Sequence, residues 1–317
     1  MSRIKNYPIS FFSLILGLAG FTLATQKMEE VMGFPYKVGN YLSGGVVVLF
    51  ILVLILFFIK FIRFKSEVKA EFNNPGKMSF FPTISISLIL LSNIFLEINK
   101  QISLYLWIIG TVVHLVFTLI ILTRWFHHDV FKIQHMSPAW FIPIVGNMLV
   151  PIGGTAHGFI ELSWFFFSIG IVFWILLLSV FLNRIVFHNP LPEKLLPTFF
   201  IIIAPPAIGF ISLIKLTGSF SPFGKILYYI SIFFFVLLVF QVNYFRKIKF
   251  YMSWWAYTFP ISAVIISSVL MYHMSESAFL FYFIWVLWII LGALNTAFLI
   301  VTIKKIINKQ ICVPEND

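Results

Sequence analysis

Charge is scarce in this chain. Only 10% of its 317 residues are Asp, Glu, Lys or Arg, against about 25% in ordinary soluble domains. A water-soluble fold of this size is excluded, because too few charged side chains exist to cover it. Cysteine is nearly absent as well. Cys312 is the single thiol, so no internal disulfide can form, and no metal or redox motif accompanies it. A nucleophile triad, a phosphate loop and a nucleotide motif are all missing. Neither enzymatic function nor a cofactor is expected. What fills the chain is apolar: 60% hydrophobic residues, with forty Phe and nine Trp. This is the composition of an all-α integral membrane protein, expected as a single transmembrane domain over 1–317 with the lipid bilayer as partner. The net charge of +11 does not point to nucleic acid, because the basic residues lie between apolar runs rather than on one patch.

Runs of roughly 20 apolar residues mark spanning helices. Ten are expected, at about 8–26, 40–62, 79–98, 102–123, 138–157, 159–182, 196–216, 222–244, 251–273 and 278–303. The first follows a basic start, as in a secretory signal. Its apolar run exceeds the usual ~7–15 residues and no soluble segment follows, so it is expected to stay as a span. The N-terminus, the connections after even spans and the C-terminus together hold 17 of the 22 Lys and Arg. The positive-inside rule therefore predicts both termini on the cytoplasmic side of the inner (plasma) membrane. The connections Glu97–Ser103 and His157–Leu162 on the other side are short, so the spans read as five hairpins. Odd spans begin near 8, 79, 138, 197 and 251, at steps of 71, 59, 59 and 54 residues, a hydropathy period near one hairpin.

Proline is absent from the interior of every even span. Nine prolines fall in odd spans: Pro8, Pro82, Pro138, Pro143, Pro151, Pro197, Pro205, Pro206 and Pro260. Proline removes a backbone donor and bends a helix. In lipid the freed carbonyl needs a partner from protein or water. Bent odd spans therefore belong inside, around a central axis in a quasi-fivefold arrangement. Straight even spans such as "VVVLFILVLILFFI" (46–59) suit a lipid-facing ring. Gly17, Gly20, Gly146, Gly153, Gly154 and Gly209 would let inner helices approach closely. The candidates for lining a pore or kinking its walls are Gly17, Pro82, Pro143, Asn147, Pro205, Pro206 and Pro260.

Ionisable side chains are missing from the middles of odd spans, which offer hydroxyls instead, including Thr22, Thr83, Ser85, Ser87, Thr258, Ser262 and Ser267. Glu97 and Glu161 stand only near outer ends. That argues against a proton relay and against an acidic cation filter. A neutral pathway with basic mouths favours anions, whereas proline-freed carbonyls would favour cations. "RWFHHDVFKIQH" holds His127, His128, Asp129 and His135, but adjacent helical positions diverge, so a solvated connection is expected rather than a metal site. His157 and Glu161 share a helical face at an outer turn, and His273 caps another. The stretch 60–72 either extends span two or lies at the interface, and "SWWAY" (253–257) reads as interface anchors.

Four pieces together, in order and spacing, carry a resemblance: "LGLAGFTLA" in span one, "SPAWFIP" with Asn147 in span five, "IIAPPAIGF" in span seven, and "WWAYTFPIS" with "MYH" in span nine. Over nearly its full length the chain resembles the family of bacterial tellurite-resistance TehA proteins, plant slow-type anion channels and C4-dicarboxylate transporters. The resemblance implies five hairpins around a pore, a homotrimer in which each protomer conducts, and a phenylalanine gate that maps to Phe259. It implies an anion-selective channel for small monovalent anions such as chloride or nitrate. The alternative is a carrier for C4-dicarboxylates or tellurite-type oxyanions. Two positions depart from the family pattern. "SLILGLAG" lacks a proline before the Gly-Leu pair, and Pro260 follows the gate where glycine is common. Both changes bear on pore width and the gate's freedom.

Overall fold

The computed structural model describes residues 2–33 and 37–313. Pro35 and Pro314, expected in a connection and in the tail, lie outside the described residues. Ten helices are long and apolar enough to span a membrane: α1 (Ile9–Met32), α2 (Val38–Arg63), α3 (Met78–Phe95), α4 (Lys100–His127), α5 (Pro138–Ala156), α6 (Ile160–Phe187), α7 (Glu193–Thr217), α8 (Pro222–Phe240), α9 (Met252–Ser275) and α10 (Ala278–Ile307). No strand occurs among the described residues. Every expected span is present. The largest shift is in α1, which runs on to Met32 and ends on Gly33 in the left-handed conformation, φ 68°. The stretch 60–72 is not one helix. The backbone breaks at Phe64 (φ −134°, ψ 52°), and a short helix, Lys65–Asn73, restarts beyond it.

Odd and even helices differ sharply in burial. In the apolar stretch of each odd helix 72–83% of residues are buried, against 28–39% in each even one. The contacts explain the difference. α1 packs against α3, α3 against α5, α5 against α7, α7 against α9, and α9 returns to α1. The odd helices thus form a closed ring. Each even helix lies outside it, against its hairpin partner and the next inner helix: α4 touches α3 and α5, and α6 touches α5 and α7. The outward faces carry Ile51, Leu52, Ile55 and Phe58 on α2 and their equivalents elsewhere, all exposed. Such faces suit lipid, which needs apolar groups and a satisfied backbone.

The prolines act differently from the mid-helix kinks expected for them. Each inner helix begins as a 3-10 helix and continues as α-helix. The 3-10 segments are Ile9–Phe11, Met78–Phe80, Pro138–Phe141, Glu193–Ile203 and Met252–Tyr257. The prolines cluster at or near these junctions, and only Pro151 stands beyond the first turn of an α-helical segment. Proline at position i cannot donate to the carbonyl at i−4. At three junctions the residue just before the proline donates to that carbonyl instead: Phe81 to Met78 for Pro82, Ile142 to Ala139 for Pro143, and Ala204 to Ile201 for Pro205. An i→i+3 bond is the 3-10 pattern. The missing donor therefore tightens the turn before each of these prolines, and the carbonyl needs neither water nor an ion.

Glycine brings two of the helix seams together. A β-carbon on Gly17 would lie 2.0 Å from Thr258 Oγ1, so α1 and α9 touch backbone to side chain. A β-carbon on Gly146 would lie 2.0 Å from the ring of His114, which fills the space between α4 and α5.

Candidate functional site

The α-helical part of α9 starts at Thr258. Phe259 and Pro260 are its second and third residues. At this junction the turn before the proline is already of the 3-10 type, with the Thr258 N–H bonded to the Trp255 carbonyl, so the missing donor costs less than in an α-helical interior. Phe259 is 7% exposed and its ring lies over Gly20 of α1, where an added β-carbon would meet Cδ2 at 3.2 Å. Ser262, one turn on, also faces Gly20, at 2.8 Å from the same built position. The ring is thus seated on the α1–α9 seam, and the absence of a side chain at Gly20 makes the room.

Most hydroxyls of the inner helices bond their own backbones, while Ser92, Ser212 and Ser268 bond neighbouring helices. Thr22 donates to the Leu18 carbonyl, Thr83 to Phe80, Ser87 to Thr83, Thr258 to Trp255, Ser262 to Thr258 and Ser267 to Val264, at 2.5–3.0 Å. Such back-bonding leaves only oxygen lone pairs free. Asn147 is fully buried and faces the outer wall. Its Nδ2 donates to Thr118 Oγ1 of α4 (3.1 Å) and to the Pro143 carbonyl (2.7 Å). Gly17, Pro143 and Asn147, expected as pore-lining or kink positions, are engaged in helix–helix seams and helix starts. Pro82 stands just before the α-helical part of α3, and its carbonyl accepts from Ser85 Oγ at 2.8 Å. Pro205 and Pro206 stand at the α start of α7.

Three features escaped the sequence reading. His114, fully buried in α4, ties two inner helices together. Its Nε2 donates to the Pro143 carbonyl and its Nδ1 shares a hydrogen bond with Ser85 Oγ, both at 2.9 Å. An ionisable residue in mid-span is itself a signal, and it was visible in "TVVHLVF". At the basic side, Lys60 of α2 contacts Glu71 at 2.5 Å and donates to the Tyr7 carbonyl at 2.8 Å, while Glu71 accepts from the Ile9 N–H at 2.8 Å. This buried knot holds the start of α1. At the opposite side stand Lys215 in the last turn of α7, Lys27 and Glu30 toward the end of α1, and Glu97 just past α3. α7 is not a ring neighbour of α1 or α3, so these charges belong to different sides of the same end of the ring. Lys27 is paired with Glu30 at 2.7 Å. Lys215 has no ion pair among the described residues.

Two aromatic and histidine expectations are corrected. Trp255 and Tyr257 are buried rather than anchored at an interface, and Trp255 Nε1 donates to Thr302 of α10 at 3.1 Å. His157 stands in the turn between α5 and α6, as expected, but shares no helical face with Glu161, which belongs to α6, and its ring bonds Ser103 Oγ at 2.9 Å. Burial pushes the Cys312 thiol up to about 11, so it is protonated at neutral pH.

The sequence pattern of the SLAC1 voltage-dependent anion channel family matches residues 6–306. The chain belongs to this family. Among its relatives, an uncharacterised transporter of Methanocaldococcus jannaschii is 28% identical, with 86% of each chain covered. The S-type anion channel SLAH3 of Arabidopsis thaliana is 29% identical over 84% of this chain, which spans 43% of that protein. A tellurite resistance protein TehA homologue of Haemophilus influenzae is 25% identical, with 86% of this chain and 84% of the relative covered. The SLAC1 family consists of channels and transporters, and its members named here include anion channels. The ten apolar helices and the family together make this a multi-pass membrane protein.

Proposed function

We propose that this chain is an anion-selective channel, a single transmembrane domain that passes small monovalent anions through the ring of inner helices. Phe259 is its gate. The protein assembles as a homotrimer in the plasma membrane, each protomer conducting, with both termini in the cytoplasm. The observation that carries the reading is the closed ring of five helices with neutral middles. Ionisable side chains stand only in its end turns, so no fixed negative charge opposes an anion inside. The Met78, Ala139 and Ile201 carbonyls, deprived of a donor by Pro82, Pro143 and Pro205 and re-bonded by the residue before each, weaken the argument for cations. Dehydrated carbonyl oxygens attract cations, and these three are already occupied by N–H groups. Lys215, without an ion pair among the described residues, adds an attractive charge at one end of the ring, beside Glu97.

Phe259 is suited to occlusion because its ring sits where α9 changes from 3-10 to α-helix. An apolar ring there excludes ions by size and by dewetting. The test is the reversal potential in planar bilayers across chloride, nitrate and malate gradients, with wild type beside Phe259→Ala. Removal of the ring should raise anion conductance tenfold or more, on the order of the barrier left by one lost steric block. Unchanged current would reject the gate. Saturable counterflow of malate without single-channel events would favour the C4-dicarboxylate carrier.

A further inference from the structure

The short helix Lys65–Asn73 presents two chemically different faces. Glu67 and Glu71, four apart, lie on one. Glu67 pairs with Lys5 at 3.2 Å, and Glu71 with Lys60 and the Ile9 N–H. Lys65, Val68, Lys69 and Phe72 follow the i, i+3, i+4, i+7 pattern of the other face. Both acids of the helix are used by partners elsewhere, so Lys65 and Lys69 have no ion pair among the described residues. Their face borders a groove of about 400 Å³, walled by Phe57 and Phe61 of α2, Phe72, and Phe117 of α4. Phe61 is 49% exposed, and its neighbours Phe58 and Ile62 are exposed too. The groove therefore opens sideways, at the level where α2 leaves its apolar run. An aromatic trough with two uncompensated lysines at its rim, open to the bilayer, matches one class of ligand.

We propose that this groove holds one acidic phospholipid, its phosphate between Lys65 and Lys69 and an acyl chain against Phe57, Phe61 and Phe117. Two lysines at a membrane surface attract an anionic headgroup over a zwitterionic one, and the apolar wall accepts the chain. The bound lipid would hold the helix whose other face grips the start of α1, so it bears directly on an inner helix. The site does not depend on whether the protein is a channel or a carrier.

The test is native mass spectrometry of the full chain after exchange into phosphatidylcholine containing phosphatidylglycerol. Wild type should retain one phosphatidylglycerol per chain in preference to phosphatidylcholine. Lys65→Gln with Lys69→Gln should weaken that retention roughly 30-fold and leave phosphatidylcholine binding and melting temperature unchanged. Lys65→Arg with Lys69→Arg should retain it. Equal retention of the two lipids by wild type, or undiminished phosphatidylglycerol in the double glutamine variant, would overturn the site. Phe61→Cys in a Cys312→Ser background tests the competing occupant. A disulfide between two copies would assign the groove to a second chain instead.

Discussion

Gly17 in α1 and Gly44 in α2 are the same residue in adjacent helices, and their surroundings are opposite. A β-carbon on Gly17 would strike Thr258 at 2.0 Å, whereas one on Gly44 would meet nothing within 4 Å. The contrast holds for prolines, which crowd the inner helices and are absent from the interiors of the outer ones, and for burial. Inner helices are shaped by protein neighbours on every side. Outer helices have such neighbours on one side and need only be apolar and unbroken on the other. Packing tolerances, and therefore sensitivity to substitution, should divide along the same line.

The largest effect should come from moving an inner-helix feature into an outer helix. Leu54→Pro, on the exposed side of α2, removes a mid-helix donor far from any 3-10 start. It should cost about 3 kcal/mol or more, read as loss of folded protein by size-exclusion in detergent. The reverse change, Pro260→Ala, restores a donor in the first turn of an α segment and should shift stability by less than about 1 kcal/mol. Equal losses from the two would break the distinction.

Glycine offers a gentler comparison. Gly17→Ala should cost about 1–3 kcal/mol through overpacking at the α1–α9 seam. Gly44→Ala should be neutral or gain about 0.5–1 kcal/mol from helix propensity. Paired melting curves in one detergent measure both. A destabilised Gly44→Ala would mean that α2 has a tight neighbour which one isolated chain does not contain, as a homotrimer would supply.

The two layers were legible in the sequence because apolar length and proline placement are coarse signals with few alternative causes. The 3-10 starts were not. A proline shows where a donor is lost, but not whether the chain bends there or re-registers its hydrogen bonds upstream. Trp255 was misplaced for a similar reason: an aromatic near a span end looks the same whether it meets headgroups or, as here, Thr302 of another helix. Asn147 looked like a lining residue because polarity in an inner span has two possible destinations, and its bond to Thr118 points to the wall. Lys60 and Glu71 are eleven residues apart, and only the break at Phe64 folds one onto the other. Phe259 is a case of its own. No local pattern distinguishes it from the other thirty-nine phenylalanines, and its proposed role as a gate came from resemblance.

The smallest expected effect tests the two ends of the inner ring rather than its two layers. The basic-side Lys60 is neutralised by Glu71, while Lys215 stands at the other end of the ring, with Lys27, Glu30 and Glu97, and has no ion pair among the described residues. Lys215→Glu replaces the one unpaired cation in that group with a third acid. Single-channel anion current entering from that side should fall roughly two- to threefold at ~0.01 M salt, where the Debye length of ~30 Å spans the opening. At ~1 M salt the screening length is ~3 Å and the difference should vanish. Current in the other direction should change less, because those ions meet the Lys215 end only on leaving. A loss that is equal in both directions and indifferent to salt would mean that Lys215 supports the fold of α7 instead. In that case the attraction for anions would have to come from within the ring.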